Sequence, residues 1–348
     1  TTTLPTDPTV WTLDQKICQL FIVTPDQLTG VYPTVAVSEG ARKSLKAYPV
    51  GGMILFADNL QNQGQTASLL TGMQNYAKEA CGAGLFMAVD EEGGLVARCA
   101  KQLGTTAFSP MAEYGARNDW NEAFGIGQTI GNDIHALGFN VDLAPVADVN
   151  LNAGNELGTR IFSDDPNVVA NMVSGVTQGL QSTGTAATLK HFPGLGAEDG
   201  NTHTAGAVVI DRTYDQLAAE EFVSFRGGID AGADFVMVGH QIMTCAGDNL
   251  PSSLSHVVCT DWLRGQLGFQ GLIITDSFQM NTITLNYDSG EAAVRAIEAG
   301  ADLVLMPQNF QEAVQGVKNA VASGRLSEER INESVNRILN EKRKLGLY

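Results

Sequence analysis

The chain has 348 residues, of which 44% are hydrophobic and 17% charged, enough apolar material for a large core and no compositional sign of disorder. Its formal net charge of −17 argues against nucleic acid or an anionic membrane surface as a partner, since both require basic patches, and suits a neutral or cationic small ligand. No apolar run reaches the ~20 residues of a membrane span, and no signal peptide is evident.

Residues 1–12 open on TTTLPTDPT, a Thr/Pro-rich stretch that reads as a linker ahead of one catalytic domain over 13–348. A short helix is expected at 13–20. Short apolar runs then alternate with longer helix-compatible segments. The runs at 19–24, 52–56, 85–90, 141–144, 186–191, 235–239, 272–275 and 303–306 are continuous rather than alternating, as parallel strands covered on both faces require. Between them, helices are expected at 64–81, 120–137, 168–183, 214–231, 290–299 and 309–323. A final helix at 327–343 starts on a capping-box-like SEER and ends on basic residues. Glycines at 52, 84, 138, 184, 232, 271 and 300 precede strands as helix-to-strand turns. Eight such units predict a TIM-like (β/α)8 barrel in a single domain. A doubly wound sheet is the alternative, but no GxGxxG follows any strand. Cys18, Cys81, Cys99, Cys245 and Cys259 match no zinc spacing. Two disulfides plus a thiol, or five reduced thiols, are both open. The linker-like start and the cysteines favour an exported or surface-anchored protein.

In a barrel, chemistry gathers where strands end. Those ends carry Asp90-Glu91-Glu92-Gly93-Gly94, Asp148, Lys190-His191, His240 and Asp276, with Arg98 and Arg160 on loops of the same face. A single strand-end Asp commonly caps the following helix, but this many charged groups on one rim point to a site. No HExxH or HxH supports a metal centre, and the cations on the rim would repel Mg²⁺; no cofactor is called for. Phosphate binding lacks a P-loop. Glycoside hydrolysis fits better: Asp276 as carboxylate nucleophile, Lys190 and the arginines on sugar hydroxyls, and His203, on a glycine-punctuated loop, as the acid. Gly194, Gly196 and Gly200 are expected to leave that loop mobile, so that its closure gates the reaction.

The motifs KHFPGLGAEDGNTH, AVDEEGGLVAR and ITDSFQM, in their order along 13–347, resemble glycoside hydrolase family 3, and within it the single-domain bacterial β-N-acetylglucosaminidases of peptidoglycan recycling. The resemblance implies a TIM-like barrel and an exo-acting retaining mechanism that releases terminal GlcNAc from an oligosaccharide through a covalent glycosyl-enzyme. It implies Asp276 as nucleophile, His203 as acid/base, and Asp90, Arg98, Arg160, Lys190 and His191 as binders of the non-reducing sugar. The sequence leaves the oligomeric state open, with a monomer favoured. One position departs. The family carries Asp-Ser/Thr-His, with the Asp and His as a dyad, whereas this chain has Asn201-Thr202-His203. An amide does not stabilise an imidazolium as a carboxylate does.

Other readings stay open: a sugar-binding relative without turnover, motivated by Asn201; a β-glucosidase or β-xylosidase of the same family; phosphate in place of water as acceptor; and, remotely, an aldolase with a Schiff base on Lys190.

Overall fold

The apolar runs become strands because residues buried on both faces of a parallel sheet have no polar side to present. The computed structural model describes residues 10–197 and 207–348. The strands are β1 (Phe21–Val23), β2 (Gly52–Ile54), β3 (Phe86–Val89), β4 (Val141–Asp142), β5 (Ala186–Phe192), β6 (Phe235–Val238), β7 (Leu272–Thr275) and β8 (Val304–Leu305). Every residue in them is buried. They pair in the order β7-β6-β5-β4-β3-β2-β1-β8, all parallel, with Ile22 opposite Gly52 and Phe21 opposite Val304. A parallel bridge between Ile274 and Leu303 joins the two ends into a barrel. The expected TIM-like architecture is present, with six of the eight strands shorter than the apolar runs that announce them, β7 matching its run and β5 one residue longer.

Each strand is followed by a helix on the outer wall. These are α1 (Glu39–Ala47), α2 (Gln63–Cys81), α3 (Trp120–Leu137), α4 (Pro166–Gln181), α5 (Glu221–Asp230), α6 (Val257–Gln266), α7 (Ser289–Ala299) and α8 (Phe310–Ala322); α9 (Glu328–Lys344) follows them. Their ends are set locally. Asn62 caps α2, Asp165 caps α4 and Asp288 caps α7, each accepting a first-turn N–H. Gly300 ends α7 at φ +117, a conformation that a Cβ would strain.

Several sequence expectations need correcting. The helix expected over 214–231 is two, Tyr214–Ala219 and α5, broken at Glu220 with φ −123 and ψ −79. Ser327 caps α9 by accepting from the Arg330 N–H, so the third helical position is Arg330 and Glu329 does not complete a capping box. All five cysteines are free; Cys18, Cys81, Cys99 and Cys259 are buried. The disulfide alternative falls. Of the linker-like segment, residues 1–9 lie outside the described residues. Among the described residues no helix is long and apolar enough to cross a membrane.

The barrel floor carries an unusual charge. The Phe86 and Phe235 rings meet edge to face at 5.3 Å, and Lys342 of α9 reaches in with its Nζ 5.2 Å from the Phe86 centroid and 2.7 Å from Gln19 Oε1. Burial pushes this amine down to about 8, with Cys81 partly opposing. Between pH 8 and 10.5 the unfolded lysine therefore binds more protons than the folded one, so this group's own contribution to stability rises with pH by about 3 kcal/mol across that window, while the buried cysteines, whose pKa values burial raises, act in the opposite direction above pH 9. Chemical unfolding of the chain and of Lys342→Met at pH 7, 9 and 10.5 should show the stability difference between them moving in the unmodified chain's favour by about this amount as pH rises. A difference that does not change with pH would assign the effect elsewhere.

Candidate active site

The C-terminal ends of the strands enclose a pocket of about 210 Å³ lined by Asp90, Arg98, Arg160, Lys190, His191 and Asp276, together with Glu92, Glu156, Phe56 and Met306. Six residues singled out in sequence thus share one cavity. Two do not enter the description: His203 and Asn201 lie outside the described residues, as do Glu198, Asp199 and Gly200.

The pocket is organised by a carboxylate that sequence reasoning had not assigned a role. Glu92 is buried, and its two oxygens receive the Arg160 fork at 2.8 Å from Nε and 2.7 Å from Nη2. Lys190 Nζ lies 2.6 Å from Glu92 and 2.9 Å from Asp90 Oδ1. Burial opposes ionisation of Glu92, but Lys190 and Arg160 outweigh it and hold the carboxyl down at about 2. Lys190 is buried too, and Asp90 with Glu92 keeps its amine above the ordinary lysine value. A Schiff-base lysine needs the opposite shift, so the aldolase reading loses its support. Arg98 is looser: its Nη2 is 4.0 Å from Asp90 and its guanidinium lies 5.8 Å from the Phe56 centroid.

Glu91, which looked like a further rim carboxylate, turns away from the cavity. It accepts from the N–H groups of Cys99 at 2.6 Å and Ala100 at 2.9 Å, capping the short helix Arg98–Leu103 whose own N-cap residue, Ala97, has no side chain to do so. Glu91 therefore places Arg98.

Lys190 and His191 project from the end of β5. Asp148, fully buried, accepts from the His191 backbone N–H at 3.0 Å and from Leu195 N–H at 2.6 Å, and lies 2.8 Å from His191 Nδ1. A carboxylate can only accept, so the His191 Nδ1–H donates to Asp148, which fixes the orientation of the ring. The glycines that follow do not simply loosen the chain. Gly194 takes φ +131, but a Cβ on Gly196 would fall 1.7 Å from Val149 O, and Leu151 and Asn152 donate to Gly196 O. The exit from β5 is pinned to the loop after β4.

Asp276 begins the loop after β7. Its Oδ1 accepts from Ser277 N–H at 2.7 Å. Burial is the largest influence and raises its pKa, but His191, His240, that N–H and Lys190 together hold it below the usual aspartate value. His240, another rim candidate, is buried behind this loop, 2.8 Å from Ser253 Oγ and 2.9 Å from Ser277 O. It props the backbone after Asp276. Among the described residues no cluster of His, Cys, Asp or Glu is arranged to hold a metal.

The model of the glycosyl hydrolase family 3 N-terminal domain matches residues 12–341. The chain is 34% identical over 302 residues to the beta-hexosaminidase of Xanthomonas campestris pv. campestris (strain B100), covering 83% of this chain and 87% of that one. It is 30% identical over 327 residues to beta-hexosaminidase A of Pseudoalteromonas piscicida, covering 86% of this chain but only 54% of that protein. Among solved structures, a family 3 beta-N-acetylglucosaminidase from Paenibacillus sp. str. FPU-7 superposes with a TM-score of 0.91 at 36% identity. That match covers 97% of this chain and 63% of the other.

Proposed function

The chain belongs to glycoside hydrolase family 3, and from that premise we propose that it is an exo-acting retaining β-N-acetylglucosaminidase, with Asp276 as nucleophile and His203 as acid/base. The observation that carries the reading is the pocket itself. It has room for one terminal sugar, it is closed below by the buried Asp90–Lys190–Glu92–Arg160 lattice, and it has an ionised carboxylate on one wall. Lys190, Arg160, Arg98 and His191 present polar groups to ring hydroxyls, and Asp90 accepts from them. Asp276 attacks the anomeric carbon as His203 protonates the departing oxygen. His203 then deprotonates the water that releases the sugar. Related proteins bearing the names beta-hexosaminidase and beta-N-acetylglucosaminidase support the N-acetyl preference.

Asp148→Asn is expected to lower kcat/KM about 100-fold, because an amide lacks the charge that holds the His191 ring and presents an N–H donor among three groups that themselves donate. Steady-state kinetics beside a thermal melt would check this, a change below threefold contradicting it.

Asn201 motivates a second reading, a sugar binder without turnover. One experiment separates the readings: release of p-nitrophenol from its β-N-acetylglucosaminide and β-glucoside by the unmodified chain and by Asn201→Asp. Preference of the unmodified chain for the N-acetyl substrate supports the proposal. Turnover only by Asn201→Asp supports the binder. Equal rates on the glucoside would make the chain a β-glucosidase.

A further inference from the structure

A second cavity of about 480 Å³ opens beside the first on the same face of the barrel. Phe56 and Met306 line both, and the loop after β7 contributes Asp276 to one and Gln279 to the other. We propose that this second cavity binds the sugar on the leaving side of the cleaved bond, that Tyr32 is the platform on which that sugar stacks, and that the site accepts a neutral or cationic pyranose while disfavouring one that bears a carboxylate. The proposal rests on the first pocket being the site of the terminal sugar.

Three features of the cavity support it. Tyr32 leaves 74% of its surface in solvent, an unusual state for a large ring, and its hydroxyl donates to the Asp58 carboxylate, which steadies the ring at the cavity edge. A fixed, amphipathic aromatic face suits the C–H side of a pyranose. Met306, at the seam between the cavities, holds φ +49, a left-handed conformation unfavourable for a residue with a side chain and gathered at ligand sites. The charge is one-sided. Asp26 and Asp58 line the cavity, and among the described residues no Lys, Arg or His does. Asp26 is occupied by Thr34 N–H at 2.6 Å and Asn59 Nδ2 at 3.1 Å, which leaves the exposed Asp58 as the carboxylate that meets the ligand. Two like charges in a concavity focus a negative potential, which attracts an amine, tolerates hydroxyls and repels a lactyl carboxylate.

The test uses three substrates with the full chain: N-acetyl-β-glucosaminyl fluoride, whose leaving group is one atom; N,N′-diacetylchitobiose; and GlcNAc-β-1,4-MurNAc. The ratio of kcat/KM for chitobiose to that for the fluoride should fall about tenfold in Tyr32→Ala and be largely kept in Tyr32→Phe. The unmodified chain should prefer chitobiose to the muramyl disaccharide about tenfold or more, and Asp58→Asn should narrow that gap. An unchanged ratio in Tyr32→Ala, or equal rates on the two disaccharides, would overturn the proposal. If the unmodified chain cleaves none of the three, the activity reading is what fails. Calorimetric titration of unmodified chain and Tyr32→Ala with chitobiose and with GlcNAc then decides the cavity alone. Tyr32→Ala must weaken the disaccharide and spare the monosaccharide; equal effects on both would reject it.

Discussion

Asp276→Asn is expected to lower kcat/KM on the p-nitrophenyl N-acetylglucosaminide by about 10⁴-fold while the chain still binds GlcNAc. The carboxylate is held below the usual aspartate value by His191, His240 and Lys190 against the cost of burial, so it is in its nucleophilic form at neutral pH. The amide occupies the same space and can still accept from Ser277 N–H, which keeps the loop in place, but it cannot form the acylal bond to the sugar. In the proposed reading binding is carried by Asp90, Arg160 and Lys190, which the change does not touch. Calorimetry with GlcNAc on the same preparation therefore separates lost chemistry from lost structure. A loss below about tenfold would remove Asp276 from the reaction.

The second large effect belongs to Glu92→Gln. In the native pocket one carboxylate answers two buried cations at 2.6 and 2.7 Å, and removing its charge leaves Lys190 with Asp90 alone and Arg160 without its bidentate acceptor. Breaking a buried pair of this kind costs about 3–5 kcal/mol, and the sugar would then meet misplaced donors. A fall in kcat/KM of about 10²–10³ is expected, mostly through KM, with a lower melting temperature. The pH dependence gives a further check. The folded Glu92 carboxyl sits at about 2 against an ordinary 4.5, so its stabilisation, about 3 kcal/mol, is complete above pH 4.5 and is lost as pH falls toward 2. The variant should lack that part of the acid-induced loss. An unchanged acid unfolding curve would mean the lattice contributes nothing to stability.

The barrel was legible because its strands are buried on both faces, and continuous apolar runs such as FIV, FMAV and LIIT have few other uses. The break at Glu220 was not, since no Gly or Pro marks it; Arg212, paired with both Glu220 and Glu221, is a tertiary partner that periodicity does not reveal. The positions of the site were readable and several roles were not. Asp90, Glu91 and Glu92 are adjacent and chemically alike, yet one faces the sugar pocket, one caps a helix and one holds two cations. That division follows from the bend at the hairpin formed by Glu91–Gly93 and Val96–Ala97, from the nearby N–H groups that Glu91 caps, and from Arg160 and Lys190 far along the chain, 68 residues from Glu92 and 100 from Asp90. Asp148 and His240 stood out as strand-end groups, but that each orients another residue depends on the packing of loops from neighbouring strands. Cysteine spacing carried no information on pairing, because what decides it is distance in the fold.

The central claim, that Asp276 forms a covalent bond with the sugar, is open to one direct measurement. The chain is incubated with 5-fluoro-N-acetyl-β-glucosaminyl fluoride, in which the ring fluorine slows release of the sugar from the enzyme, then digested and analysed by mass spectrometry. The account predicts one sugar per chain, on the peptide containing Ile274-Thr275-Asp276-Ser277, and none in Asp276→Asn. Turnover without any adduct, or an adduct on another carboxylate, would contradict it and point to attack by the substrate's own acetamido group or by a different residue.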